Sequence, residues 1–322
     1  MAINFPYIYG GGSSGGNFSF TTTGKFQYPA QVTVPKTVTS LTGDASGFYQ
    51  HAEIEEITFE SGGTLSTIAN NAFYYCTGLR KVTLPSTITA IGNTAFQACA
   101  ALAQINLPEG LTTMGANAFS SCAALSSVVL PSTLTNIGSA FNGCTGLTSI
   151  SIPGTLVTVS ANAFNGCTAL ADITIAEGVE SILNFAFQRS IPSEIVLPAS
   201  LSTIGACAFA YNTNLTRVVL KSCPLASDGP TITNNNYWWS SNYPFTGCSN
   251  IEDFVIPSGW DKDINLGVIS SKLTHDSLVA LLGNLADFTG GTQHKITLGS
   301  TNLGRLSGAE QAVATNKNWL VA

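Results

Sequence analysis

The sequence has very little charge. Charged residues make up 9% of the 322 residues, against ~25% in a typical soluble protein, so serine, threonine, asparagine and glycine must solvate the surface. The net charge is −6 and the lysines and arginines are scattered singly, which argues against a nucleic-acid-binding surface. No apolar run approaches the ~18 residues of a membrane-spanning helix, so we expect no membrane insertion. The first residues also lack the basic and apolar stretches of a secretory signal.

Residues suited to catalysis or metal binding are also few. His51, His275 and His294 are scattered and have no histidine or cysteine partner at metal-ligand spacing. The chain has no glycine motif of the phosphate-binding kind and no set of serine, histidine and aspartate that could be assigned to catalysis. We therefore predict no enzymatic activity, no metal site and no cofactor.

A repeat accounts for most of the chain. Ala-Phe pairs recur from Phe73 to Phe209, with successive phenylalanines 23, 23, 22, 23, 23 and 22 residues apart. In most units cysteine follows phenylalanine by three positions, aliphatic residues follow at six, nine and eleven, and proline follows at twelve. One unit therefore reads Phe96, Cys99, Leu102, Ile105, Leu107 and Pro108. Degenerate units at Phe48 and Phe245 flank the array and bring the count to nine.

The spacing within a unit predicts a short strand that proline ends. Two aliphatic residues separated by one position point to the same face of a strand, and proline cannot donate to a ladder. A unit of this size cannot bury its apolar face alone, so the units must stack into a solenoid with one parallel sheet and strands ~4.8 Å apart. Stacked coils would place phenylalanines at the ~4.5–7 Å that aromatic rings favour. A glycine before most Ala-Phe pairs is typical of a turn with positive φ; these are Gly92, Gly115, Gly138 and Gly205.

The repeat resembles a known family. The stretch from Leu79 to Cys99 reads Leu-x-x-Val-x-Leu-Pro-x-x-Ile-x-x-Ile-x-x-x-Ala-Phe-x-x-Cys, which is similar to the BspA-like leucine-rich repeat. The resemblance covers roughly Val32 to Pro257. It implies a leucine-rich-repeat solenoid, mostly β with short parallel strands, of about nine repeats of 22–23 residues. It also implies a bacterial surface or secreted protein that adheres to other proteins, cells or matrices.

Three segments are predicted. Residues 1–30 are a Gly/Ser-rich N-terminal segment, and residues 31–258 are the solenoid. Residues 259–322 leave the repeat and form a small α/β module that caps the solenoid. In this module Thr274 is a candidate helix N-cap, Lys295 to Gly299 reads as a strand, and Ser307 with Glu310 has the spacing of a capping box.

The cysteines form a column rather than a metal site. The sequence has eight cysteines, of which six lie three positions after a repeat phenylalanine, namely Cys76, Cys99, Cys122, Cys144, Cys167 and Cys248. Side chains stacked in register point the same way, so their Cβ atoms lie ~5 Å apart rather than at the ~3.8 Å of a disulfide. We predict buried thiols that pack as small hydrophobic groups.

Two surfaces are candidates for ligand binding. An insert at residues 221–243 carries four aromatic residues among asparagine and serine, a composition typical of recognition loops; these are Tyr237, Trp238, Trp239 and Tyr243. The alternative is that the insert folds back over the last coils. Between Val82 and Ala171 the one charged residue is Glu109, and the outward strand positions are polar, among them Ser127 and Ser149. These residues either bind an uncharged polar ligand or only keep the sheet soluble.

The sequence thus predicts a non-enzymatic recognition or adhesion module that binds protein or glycan, located outside the cell or on its surface. The alternative is a structural component of a phage particle or other assembly, anchored through residues 1–30, by which it would also form a homo-oligomer. We expect no nucleic-acid partner.

Overall fold

The computed structural model describes residues 30–41, 48–221, 244–261 and 272–322, together with the backbone of three short strands outside those ranges. It divides the chain into two compact units. Unit 1 comprises Met1–Ser151 and Ala163–Leu170, and unit 2 comprises Ile152–Asn162 and Ala171–Ala322. The fold is a β-solenoid of about 11 turns with a small α/β C-terminal region, against the nine repeats counted from phenylalanine.

The strands are short and the helices few. The strands are β1 (Ser19–Phe20), β2 (Phe26–Gln27), β3 (Gln31–Val34), β4 (Glu56–Phe59), β5 (Thr67–Ile68), β6 (Lys81–Thr83), β7 (Ala90–Ile91), β8 (Gln104–Asn106), β9 (Thr113–Met114), β10 (Ser149–Ile152), β11 (Thr158–Val159), β12 (Asp172–Ile175), β13 (Ser181–Ile182), β14 (Glu194–Leu197), β15 (Thr203–Ile204), β16 (Arg217–Leu220), β17 (Asp253–Val255), β18 (Ile264–Asn265), β19 (His294–Thr297) and β20 (Trp319–Val321). The helices are α1 (His275–Gly283), α2 (Ser300–Leu303) and α3 (Gly308–Thr315).

Unit 1 has two parallel strand columns, where the sequence predicted one sheet. The expected column is β3-β4-β6-β8, and a second column is β5-β7-β9. The second column forms from the apolar pair that closes each repeat, with Ile68, Ile91 and Met114 in register and buried. The single-sheet prediction was incomplete because this pair has helical spacing, which hides two-residue strands. Proline follows the longer strands and ends them. Its carbonyl accepts a hydrogen bond from the N–H three residues later, for example from Leu111 N–H to the Pro108 carbonyl at 2.9 Å.

Unit 2 repeats this arrangement with the parallel sheets β11-β13-β15 and β14-β16-β17. Ile195, Val218 and Phe254 are in register across the longer strands and are buried. One side chain in two therefore fills the core while the alternate one faces solvent.

The repeat phenylalanines form the predicted ring stack. Ring centroids lie 4.9–5.5 Å apart along Phe48, Phe73, Phe96, Phe119, Phe141 and Phe164 in unit 1. In unit 2 the centroids of Phe187, Phe209 and Phe245 lie 5.7 and 5.1 Å apart. All these rings are fully buried.

Buried thiols line this stack, as predicted. Each donates to the carbonyl of a phenylalanine in the preceding coil, for example Cys99 Sγ to Phe73 at 3.0 Å and Cys248 Sγ to Phe209 at 3.0 Å. The column cysteines are thiols and not disulfides. In the coil of Phe209, Asn212 occupies the position of the cysteine, and its Nδ2 donates to the Phe187 carbonyl at 3.0 Å. The column therefore satisfies main-chain acceptors as well as filling space.

Left-handed residues turn the chain at each phenylalanine. Every residue two positions after a repeat phenylalanine has φ between 56° and 75°, from Gln50 to Gly247. The conformation aims its N–H at the next coil, as from Ala98 to the Ser120 carbonyl at 2.8 Å. The glycine prediction was wrong for Gly92, Gly115 and Gly205, which lie outside the left-handed region, and right for Gly138, with φ 51°.

Close packing explains those glycines instead. A Cβ at Gly92 would lie 2.6 Å from the backbone nitrogen of Asn70, and one at Gly115 would lie 2.5 Å from that of Asn93. Real Cβ atoms do not approach backbone so closely, so the coil-to-coil distance requires glycine there.

The C-terminal module covers β17, the end strand of the sheet β14-β16-β17. Ser277 Oγ of α1 accepts from Phe254 N–H at 3.0 Å, and Asn284 Nδ2 donates to the Ile256 carbonyl at 2.9 Å. The N-cap at Thr274 and the capping box at Ser307 are present as predicted. The α1 helix thus gives β17 partners on its open edge, where a further coil would otherwise pair.

Candidate binding surfaces

The exposed strand face of unit 1 between Val82 and Ser151 is mostly polar, as the sequence predicted, although Val129 on it is 80% exposed. Ser127 and Ser149 are brought side by side as a parallel bridge pair, and both are exposed. The other predicted outward positions are exposed too, namely Asn106, Ser126, Thr148 and Ser151. Further up the same face the hydroxyls of Thr33 and Thr58 lie 2.9 Å apart.

Part of this polarity serves the fold. The Asn106 side chain accepts from Leu84 N–H at 2.8 Å and donates to the Leu84 carbonyl at 3.0 Å, while Thr148 Oγ1 donates to the Ser126 carbonyl at 2.9 Å. Ser127 and Ser149 make no side-chain hydrogen bond within the described ranges, so both hydroxyls are open to a ligand.

The exposed strand face of unit 2 carries ion pairs, as does the start of the unit 1 face, where Lys81 bonds Glu56 at 2.7 Å. Arg217 bridges Glu194 at 2.7 Å and Asp253 at 2.9 Å across three neighbouring strands. The hydrogen bond to Asp253 raises the pKa of Arg217, so this arginine stays charged. Two positions further on, a valine stripe runs across the same strands, formed by Val196, Val219 and Val255. Sequence reasoning missed both rows, although each lies at a fixed offset from the buried aliphatic residues.

The aromatic insert lies outside the described residues, so Tyr237, Trp238, Trp239 and Tyr243 stay a prediction. Its flanks are described. The strand β16, which carries Val219, ends at Leu220, and the chain resumes at Pro244, whose carbonyl accepts from Phe209 N–H at 2.8 Å. The insert therefore joins a strand of the valine stripe to the next phenylalanine turn.

The thiols are poor nucleophiles. Burial raises the pKa of Cys76, Cys144 and Cys248 to about 12, and raises those of the other column thiols as well. Because the thiolate is the reactive form, these groups are inert at neutral pH.

Over the described ranges, no three histidine, cysteine or acidic side chains gather as a metal site. Among the same residues, no helix is long and apolar enough to cross a membrane.

Parallel strand columns, stacked rings and short coils define a leucine-rich-repeat solenoid. The profile of the BspA type leucine rich repeat region matches six copies over residues 16–145 and 138–227. The chain therefore belongs to the BspA-type leucine-rich-repeat family. No match is found among curated proteins.

Solved structures share the fold. One is a leucine rich cell surface protein from Faecalibacterium prausnitzii, with 18% identity, a TM-score of 0.53 and coverage of 98% of this chain and 99% of that one. Another is a leucine-rich repeat protein from Bacteroides ovatus, with 22% identity and a TM-score of 0.51. That match covers 73% of this chain and 61% of the other.

Proposed function

We propose that this protein is a non-enzymatic recognition module that binds a protein partner outside the cell or at its surface. The family is one of protein-interaction and adhesion modules. A similar structure is described as a cell surface protein, which supports the same location for this chain.

The observation that carries the proposal is the strand face of unit 2. Val196 is 38% exposed and lies in register with Val219 and Val255, beside the Glu194–Arg217–Asp253 triad. Apolar side chains bordered by charged ones are the usual composition of a protein interface. The backbone beneath them is held by parallel pairing on a buried core, so the face is ordered before binding, which lowers the entropic cost.

The aromatic insert supplies the anchors in this proposal. Interface energy concentrates in a few tryptophan, tyrosine or arginine side chains, and the insert that follows β16 carries Tyr237, Trp238, Trp239 and Tyr243. The uncharged face with Ser127 and Ser149 is given a smaller role, because hydroxyls alone make few strong anchors.

The test is binding of the purified full chain to immobilised matrix proteins, mucin and intact cells, measured by biolayer interferometry. We expect saturable binding to at least one protein surface. A Val219→Asp variant should weaken it, because a carboxylate would interrupt the valine stripe. Thr83→Asp on the exposed face of unit 1 is the matched control and should leave it unchanged. If the chain binds none of these surfaces saturably, the proposal is contradicted.

An alternative role in a phage particle or similar assembly rests on residues 1–30, most of which lie outside the described residues. Self-association lost on removal of residues 1–30 would favour it.

A further inference from the structure

A cluster of tyrosines lies on the phenylalanine turns at the start of the array. We define the tyrosine edge as Tyr49, Gln50, Tyr74, Tyr75 and Gln97, all in unit 1. The rings of Tyr49 and Tyr74 are stacked with centroids 5.1 Å apart, and that of Tyr75 follows 5.9 Å from Tyr74. Tyr75 is 51% exposed and Gln50 is exposed, while the other three are half-buried. Three contiguous aromatic rings therefore reach solvent.

The backbone at this edge favours glycine, yet the chain places side chains there. Tyr75 has φ 59° and Gln50 has φ 62°. The equivalent position is glycine in three other coils and carries a side chain in four, namely Ala98, Ser121, Arg189 and Tyr211. A bulky residue in the left-handed region is strained because its Cβ crowds the backbone. Packing does not account for Tyr75, since half of its surface is exposed. Tyr75 therefore presents its ring to solvent rather than to the core.

The polar side-chain groups of the edge are available to a ligand. Within the described ranges, no side-chain hydrogen bond is made by the hydroxyls of the three tyrosines or by the amides of Gln50 and Gln97. Each glutamine amide both donates and accepts, and each tyrosine hydroxyl does the same. The edge carries no charged side chain, and the charged residues next along the chain, His51 and Glu53, bond each other at 2.8 Å.

We propose that the tyrosine edge binds a neutral saccharide. The face of a sugar ring is rich in C–H groups and packs on an aromatic ring, whose outline and π-face suit a flat apolar partner. The sugar hydroxyls around that ring match amide and phenol groups that both donate and accept. A charged ligand finds no counter-ion on the edge. Because Tyr49 and Tyr74 lie in successive coils with ring centroids 5.1 Å apart, an extended oligosaccharide laid along the edge meets tyrosine in two coils and Gln97 in the next.

This inference deepens the recognition function proposed above by adding a second class of ligand at a separate site. The site lies in unit 1, whereas the valine stripe lies in unit 2. Each can therefore be removed by substitution while the other is kept.

The test is native affinity electrophoresis of the full chain in gels containing soluble β-glucan, yeast mannan or galactomannan, with heparin as a charged control. We expect at least one neutral polysaccharide to retard the protein. The Tyr75→Ala variant should raise the apparent dissociation constant at least ~10-fold. Tyr211→Ala is the matched control, because Tyr211 occupies the same repeat position with φ 58° and is also exposed, but contacts Arg189 and Gly247 instead of other tyrosines.

Circular dichroism and melting temperature establish that both variants are folded, and Tyr75→Phe should retain most of the retardation. Three results would overturn the proposal: no retardation by any neutral polysaccharide, retardation by heparin alone, or equal loss in both alanine variants. If Tyr75→Ala instead loses binding to a matrix protein that Val219→Asp also loses, the edge is part of the protein interface. Retardation of a chain that binds no protein surface would leave the saccharide site standing and refute the protein-recognition proposal alone.

Discussion

At the scale of single residues, the solenoid depends on backbone conformation more than on composition. The left-handed position after each phenylalanine is glycine in Gly143, Gly166 and Gly247 but alanine in Ala98, with φ 60°. In the left-handed region the Cβ of a side chain lies too close to the following carbonyl oxygen, which strains the backbone. Its cost is local, because Ala98 already makes the coil-to-coil hydrogen bond that the turn requires.

The Ala98→Gly variant should therefore be more stable than the parent. We expect a gain of about 0.5–1 kcal/mol in the free energy of unfolding, since relief of the left-handed strain exceeds the extra entropy of glycine in the unfolded chain. Ala100→Gly is the control, because Ala100 is exposed and lies outside the left-handed region. It should be neutral or destabilising in urea titrations. A loss of stability in Ala98→Gly equal to that in Ala100→Gly would show that the turn is unstrained.

The thiol column leads to a second prediction at this scale. Under denaturing, non-reducing conditions we expect a thiol reagent to find at least six reactive cysteines per chain. Before denaturation the six column cysteines should hardly react, because they are fully buried and burial raises their pKa. Recovery of three or four disulfides per chain would contradict the buried-thiol structure.

At the scale of elements, the open edge of the strand β17 is given side-chain partners. In unit 2 the α1 helix provides them through Ser277 and Asn284. Asn212 does a similar task inside the array, where its Oδ1 accepts from the N–H groups of Ser190 and Ile191 at 2.6 and 2.7 Å. Side chains of other elements thus complete ladders that the repeat leaves open.

Ser277→Ala tests this role of α1. The change leaves the buried N–H of Phe254 without its acceptor, so we expect a loss of ~1–3 kcal/mol in the free energy of unfolding. Val279→Ala on the exposed side of the same helix is the control and should cost less than ~0.5 kcal/mol. Chemical denaturation followed by circular dichroism measures both. Equal small effects would mean that α1 does not hold the edge.

At the scale of the whole molecule, the sequence predicts those features of the fold that recur once in every repeat. The Ala-Phe spacing predicted the stacked rings, the buried thiols and the longer strand column, because each depends on one side chain recurring at a fixed interval. It did not predict the second strand column, since Ile88 and Ile91 have helical spacing although Ile91 is in a strand. The reason for Gly92 was also hidden, because a close approach between coils depends on the fold and not on local preference.

The candidate binding surfaces were predicted less completely for the same reason. Ser127 and Ser149 were placed correctly on the exposed face, because outward strand positions alternate with buried ones. The Glu194–Arg217–Asp253 row was missed, since its members are 23 and 36 residues apart along the chain. The tyrosine edge could not be predicted from the sequence, because it depends on the left-handed backbone at Gln50 and Tyr75.

The stacked core and the insert should differ in their effect on stability. Phe119→Ala removes a buried ring that lies 5.1 and 5.5 Å from its two neighbours, and should cost ~3–5 kcal/mol through the cavity it leaves. Tyr237→Ala should cost little if the insert is a binding loop. Urea titration of both variants measures the difference, and equal destabilisation would show that the insert belongs to the core.

The central claim, recognition through the insert and the valine stripe, is tested most directly by the Trp238→Ala/Trp239→Ala double variant. We predict that it weakens binding to the strongest partner in the protein panel by at least ~2 kcal/mol, with circular dichroism and melting temperature unchanged. Replacing Ser127 and Ser149 by alanine should matter less. Normal binding by the tryptophan variant together with loss in the serine variant would contradict the claim and place recognition on the strand face of unit 1. If neither change matters, recognition belongs to residues 1–30 or the C-terminal module, and the assembly role is favoured.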